Sequence, residues 1–157
     1  METSLRSTLT VPSQRDALDR VLTWAEQFQR KVVTTALDSI SNEVWLSYQV
    51  ALAEGFTNAV RHAHESLSPP PPVDLEVRLE ERRLVLQIWD LGPPFDLERQ
   101  LKERLEHPSP DPFPGGGFGL VIMHQAADEL RYEREIGDSQ GNRNCLTLIW
   151  DLSEGGS

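Results

Sequence analysis

The sequence predicts an α/β two-layer sandwich, a mostly antiparallel mixed sheet covered on one face by helices. Three observations carry this. Five segments have the two-residue alternation or the short apolar runs of strands. Three others repeat apolar residues at three and four positions, as helices do. Their order is strand, helix, helix, two strands, long loop, helix, two strands, and irregular alternation of this kind argues against a doubly wound parallel sheet.

The first strand covers residues 4–11, where Leu5, Ser7, Leu9 and Val11 share a face, and Pro12 ends it. Ser13 is an N-cap candidate for a helix over 15–33, whose stripe is Leu18, Val21, Leu22, Ala25, Phe28 and Val32. A second helix covers 42–64, with Trp45, Tyr48, Leu52, Phe56, Ala59 and Ala63 inward, and prolines 69–72 stop it. Strands at 73–80 and 84–91 flank a short polar link, which reads as a hairpin. Residues 92–116 hold six of the eleven prolines and read as a long loop with a short helix at 97–105. A glycine-opened helix at 117–127 follows, then strands at 130–136 and 145–152 joined by a polar turn at 137–144. The tail 153–157 reads as frayed.

The length of 157 residues suits a single domain over 1–157, large enough for a core without disulfides. Hydrophobic residues make up 38% and charged residues 25%, an ordinary globular mixture. Lys and Arg number 15 against 25 Asp and Glu, a net charge of −10, which argues against binding nucleic acid or an anionic membrane. The lone Cys145 allows no internal disulfide and no Cys-x-x-Cys zinc site. With neither a signal layout nor a long apolar run, a cytoplasmic location is expected.

Three features invite chemistry. Glu54 and Asn58, four apart on the second helix, are neighbours off its main apolar face. They are either solvated polar residues or a base beside a Mg²⁺ ligand, a carboxylate taking a proton and an amide oxygen giving one ligand to an ion held mostly by phosphates and water. The small Ala51 and Gly55 beside them would leave room for a ligand. Asp90 follows Leu84, Leu86 and Ile88 on one strand face, so a carboxylate stands where the core should continue. Either the amides of the turn from Gly92 onward satisfy it, or it accepts from a ligand's exocyclic amine. Gly115, Gly116, Gly117 and Gly119 precede or open a helix, as a hinge or as a place where backbone N–H groups meet an anion. No Gly-Lys-[Ser/Thr] follows, which excludes a Walker A loop, and a Rossmann turn would need a glycine at Leu120. His62 and His64 are two apart on a helix and cannot share a metal, and the four tryptophans read as packing.

Glu54-x-x-x-Asn58-Ala59-x-x-His62, then Asp90-x-Gly92, then Gly115-x-Gly117-x-Gly119 resemble the ordered motifs of the GHKL ATPases, the superfamily of gyrase, MutL and the histidine kinases. Within it, the chain is similar to the anti-sigma-factor serine kinases of the RsbW and SpoIIAB type over residues 10–152. The resemblance implies a Bergerat-like ATP-binding fold with an ATP lid around 92–116. It implies Glu54 as general base, Asn58 as Mg²⁺ ligand, and Asp90 holding the adenine amine with Gly92 beside the base. Gly115, Gly117 and Gly119 would wrap the phosphates, and His62, Phe118 and Leu120 belong to the same nucleotide-binding motifs. It also implies ATP and Mg²⁺ as cofactors, an anti-sigma-factor antagonist as phosphoacceptor, a sigma factor as second partner, and a homodimer. One position departs: Pro94 stands where the family often has a second glycine, which removes a donor and fixes φ. The function expected is an ATP-dependent protein serine/threonine kinase in a partner-switching pathway. The alternative is a regulatory module that binds ATP and a partner without transferring phosphate.

Overall fold

The computed structural model describes residues 4–35, 40–64, 67–107, 118–137 and 141–152, the side chains of His62, Ala63 and Phe118 excepted. The elements are β1 (Leu5–Val11), α1 (Leu18–Thr35), α2 (Asn42–Asn58), β2 (Val73–Glu80), β3 (Arg83–Asp90), α3 (Leu97–Glu106), α4 (Phe118–Ala126), β4 (Glu129–Glu135) and β5 (Arg143–Asp151). A 3₁₀ turn at Arg15–Ala17 leads into α1, and a wider π-type turn at Ala59–Ala63 continues α2.

The strands form one sheet in the order β1-β2-β3-β5-β4. The expected two-layer sandwich is borne out, and all four pairings among the described residues are antiparallel. Side chains alternate between its faces. The inner face carries Val73, Leu75, Val77, Leu84, Leu86, Ile88, Leu146 and Leu148, which share one core with the buried residues of α1, α2 and α4. The outer face is polar and internally paired. Glu76, 7% exposed, takes Arg6 at 2.6 Å and Arg78 at 2.9 Å, and Arg78 also reaches Gln87 at 2.6 Å. A buried carboxylate held by two guanidiniums satisfies the rule that buried charge must be paired.

Aromatic residues dock the helices by both ends. Trp24 donates to Ser7 Oγ at 2.8 Å, which fixes α1 on β1. Tyr48 donates to the Ala25 carbonyl at 3.3 Å, and its ring meets Trp45 and Trp150 edge-on. Trp150 donates to the Ala126 carbonyl at 2.9 Å and so anchors the end of α4 on β5. Trp24, Tyr48 and Trp150 each bury apolar area and still find a partner for the polar atom, whereas the buried Trp45 Nε1 has none among the described residues. Packing accounts for Trp24, Trp45 and Trp150, all buried, whereas Trp89 lies on the outer face under the Arg143 guanidinium.

Several local expectations are corrected. Ser13 does not cap α1; its hydroxyl pairs with His64, and the residue at the cap, Gln14, makes no side-chain bond. The second helix does not run uniformly α-helical to His64, because the last turn widens and the His64 amide bonds the Ala59 carbonyl five residues back. The β2–β3 hairpin turns on Glu81 and Arg82 alone, both at positive φ (50° and 60°). Two left-handed residues match the right-handed twist of the strands, even without glycine. Residues 143 and 144 belong to β5, not to the preceding turn. The expected tail at 153–157 lies outside the described residues.

Ala51 and Gly55 leave no ligand space, since both are buried. A Cβ on Gly55 would collide with Ile88 Cδ1 and touch Met123 Sδ at 3.5 Å and Leu146 Cδ2 at 3.6 Å. The missing side chain therefore lets α2 settle onto β3, β5 and α4. Gly55→Val should overpack this junction and cost about 1–3 kcal/mol. Thermal unfolding should then fall by roughly 2–12 °C, and an unchanged midpoint would contradict the tight packing.

Candidate functional site

Seating α2 on the sheet decides which of its residues face α4 beside it. Glu54 and Asn58 are half-buried and meet the first turn of α4. A Cβ on Gly119 would lie 2.8 Å from Glu54 Oε2 and 3.3 Å from Asn58 Nδ2. Gly119 is thus the residue that lets the two polar groups and the opening turn of α4 share one space. The Glu54 carboxylate lies against the first turn of that helix. Leu120, one residue on, turns into the core at 3% exposure, so only its backbone is available there. Phe118 opens α4, but its side chain lies outside the described residues, as does that of His62 in the π turn. Gly115 and Gly117 lie outside them altogether.

Asp90 closes the inner face of β3. Its Oδ1 accepts from the Gly92 amide at 3.0 Å, the turn donor expected for it. The same oxygen accepts from Asn144 Nδ2 at 2.8 Å. Asn144 is fully buried and donates its second hydrogen to the Gly92 carbonyl at 2.9 Å, while its Oδ1 accepts from Arg134 at 3.0 Å. The register explains the meeting: Asp90 faces Asn144 across β3 and β5, and Asn144 faces Arg134 across β5 and β4. One row inward, Ile88, Leu146 and Tyr132 are aligned. The inner face thus changes from apolar to polar over one row.

His64 ties Asp90's strand end to α2. It is 1% exposed, and its Nε2 accepts from the Leu91 amide at 3.0 Å. That acceptor role leaves the proton on Nδ1, which donates to Ser13 Oγ at 2.9 Å. The widened turn after Asn58 brings His64 under the end of β3. Burial lowers the His64 pKa below its ordinary value, and the Asp90 charge opposes this less strongly. Tyr132, packed on Phe95 with ring centroids 4.4 Å apart, has its pKa pushed up to about 12, by burial first and the Asp90 charge second. Two of the three motif regions, on α2 and α4, therefore converge directly, and His64 joins α2 to the third.

Two residues of this region escape a reading by motif. His64 looks inert beside His62, and Asn144 looks like one more polar residue of a turn. The detectable signal for Asn144 is its place one residue before the apolar run from Cys145, on the face shared with Leu146 and Leu148. A cleft of about 700 Å³ opens on the far side of His64, beside Arg15, Val60 and Arg61, and holds none of Glu54, Asn58 and Asp90. No helix among the described residues is long and apolar enough to cross a membrane.

The lowered His64 pKa fixes the sign of a pH effect. Below about pH 6.5 the unfolded chain takes up a proton that the folded imidazole resists, so this contribution is present above that pH and is lost as pH falls. Wild-type unfolding temperatures should drop more steeply from pH 7.5 to 5.5 than those of His64→Gln. Parallel pH profiles would contradict the buried neutral imidazole.

Residues 11–150 match the family model of the histidine kinase-like ATPase domain. The chain is 29% identical over 116 residues to the serine-protein kinase RsbW of Bacillus licheniformis, covering 68% of this chain and 71% of that one. It is 27% identical over 115 residues to the RsbW of Oceanobacillus iheyensis, with 68% and 72% covered. Against the RsbW of Bacillus subtilis it is 26% identical over 115 residues, with 68% and 71% covered. The contact of Glu54 and Asn58 with the first turn of α4, the carboxylate at the end of β3 and a family match over nearly the whole chain lead to one conclusion: the chain belongs to the histidine kinase-like ATPase domain family.

Proposed function

We propose that the chain is an ATP-dependent protein serine/threonine kinase, and an anti-sigma regulatory factor in a partner-switching pathway. The observation that carries the reading is the meeting of Glu54, Asn58 and Gly119 in one space beside the first turn of α4. The similarity to proteins named serine-protein kinase supports the reaction type. In this reading residues 1–157 are one domain, and the segment around 92–116 is its ATP lid. The phosphoacceptor is an anti-sigma-factor antagonist, a sigma factor is the second partner, and the chain works as a cytoplasmic homodimer.

The residues present suit Mg-ATP. Asp90 keeps Oδ2 without a hydrogen bond among the described residues, facing the role of acceptor for an exocyclic amine. Gly119 brings the first turn of α4 against Glu54 and Asn58, so a phosphate held beside Asn58 would meet that helix N-terminus, which favours its charge. Asn58 would hold Mg²⁺ with a single neutral oxygen, a donor set suited to an ion that takes its other ligands from phosphate and water. Bound there, the ion supplies neutralisation of phosphate charge. Gly115 and Gly117 would extend the phosphate cradle, with the backbone of Phe118 and Leu120 continuing it and His62 at its edge on the π turn. Gly92 would lie against the adenine ring.

Phosphoryl transfer rests on positioning and charge neutralisation more than on covalent chemistry. Glu54 would take the proton from the partner's hydroxyl as its oxygen attacks. Glu54→Gln keeps size and loses the base, so transfer to the partner captured with Mg-ATP should fall roughly 10²–10⁴-fold. ATP affinity should stay within about threefold of wild type. If the variant still labels the partner at the wild-type rate, the chain is a binding module or the base lies elsewhere. Mg-ATP at a hundred times its Kd should add about 2.7 kcal/mol to stability. In a thermal-shift assay that corresponds to roughly 5–11 °C, and Asn58→Ala should lose the Mg²⁺-dependent part.

A further inference from the structure

We propose that Asn144 is the positioning residue that makes Asp90 selective for a base bearing an exocyclic amine. The inference rests on the nucleotide reading above and adds to it a residue that belongs to none of the three motifs. It starts from valence. A carboxylate oxygen has two lone-pair directions, and Asp90 Oδ1 spends them on the Gly92 amide and the Asn144 amide. The remaining acceptor, Oδ2, is thereby the only part of the group offered to a ligand by the described residues. An acceptor with no competing donor beside it suits an amine and repels a carbonyl oxygen at the same place.

The orientation of Asn144 is determined by its surroundings. Its NH₂ group faces two acceptors, Asp90 Oδ1 and the Gly92 carbonyl, and its oxygen faces the Arg134 guanidinium. Turning the amide over would set oxygen against two oxygens and NH₂ against a cation. Both donors and the oxygen of the buried side chain are engaged, so it is held as firmly as its neighbours. It also links both sides of the turn, since one side chain bonds the carboxylate of Asp90 and the backbone of Gly92. Without it, Oδ1 would lose one donor and the carboxyl group could rotate about its last bond. Either oxygen could then satisfy the Gly92 amide, and the geometry of the free one would no longer be set.

The experiment uses two nucleotides with the full chain, Mg-ATP and Mg-purine riboside triphosphate, which lacks only the 6-amino group. Titration calorimetry gives a preference ratio for each variant. Wild type should favour ATP by roughly ten- to hundredfold, the scale of one hydrogen bond to a charged group. In Asn144→Ala the ratio should fall to within about threefold of unity, with the affinity for the purine analogue changed by less than about threefold. Asn144→Ser, which keeps one donor, should lose at least threefold of the ratio, and it is measured in the same way should the alanine variant fail to fold. A wild-type ratio retained in the variants would overturn the proposal and leave the nucleotide reading standing. Equal weakening of both nucleotides would also overturn it, because a residue that only maintains the fold moves both. A wild type that binds ATP without preferring it to the analogue would overturn both the adenine role of Asp90 and this proposal. A wild type that binds neither nucleotide would overturn the nucleotide reading itself and the proposal with it.

Discussion

The close approach of α2 to the sheet at Gly55 is the constraint on which the rest of the molecule depends. A helix carrying an ordinary side chain there would stand off from β3 and β5, because Ile88 and Leu146 already occupy the space. With the helix seated, the same rotation that buries Leu52, Gly55 and Phe56 turns Glu54 and Asn58 sideways toward α4. A second glycine, Gly119, repeats the device on α4, where Glu54 and Asn58 fill the place of its side chain. Two absent side chains thus set how closely α2 meets the sheet and α4.

The polar end of the sheet follows a different logic. Aspartate at the end of an apolar strand face would be costly if left alone, since burying a polar atom without a partner costs free energy. Here the cost is met from two directions. Asn144 reaches Asp90 from β5, and His64 holds the adjoining Leu91 amide from the end of α2. The His64 contact is worth about 0.5–1.5 kcal/mol net as a neutral pair, and the Asn144 bond to a carboxylate about 1.5–3 kcal/mol. Their joint effect is on geometry, because the corner at residues 90–92 is held by side chains from two elements that do not neighbour it in sequence.

What the sequence makes legible follows from how local each signal is. The strand and helix segments, the hairpin after β2 and the odd placement of Asp90 all follow from the two periodicities and from the turn-breaking prolines. The motif residues Glu54, Asn58, Asp90 and Gly119 stand out because their spacing departs from those periodicities or interrupts them. Gly55 misleads, since a small residue next to a polar pair suggests room, and only the packing partner Ile88, 33 positions on, reveals that the space is filled. His64 misleads for a related reason: the extra residue in the π turn rotates it inward from the face that a regular helix would give it. Asn144 sits in a run of polar residues that local chemistry assigns to a turn, and its meaning comes from a register set by Leu146 and Leu148 on a strand pairing with β3.

The pairing of β3 with β5 has a temporal consequence. Asp90 and Asn144 are separated by 54 residues, and among the described strands β5 is the last in the order of synthesis. Glu54, Asn58 and Asp90 all leave the ribosome before their carboxylate has its partner. A nascent chain can therefore assemble α1, α2 and the first hairpin while the polar end of the sheet is still unfinished. Completion of that end waits on a contact 54 residues apart in sequence, which pays its loop entropy before it gains anything in return. The polar corner at residues 90–92 is in this way finished only after β5 has emerged.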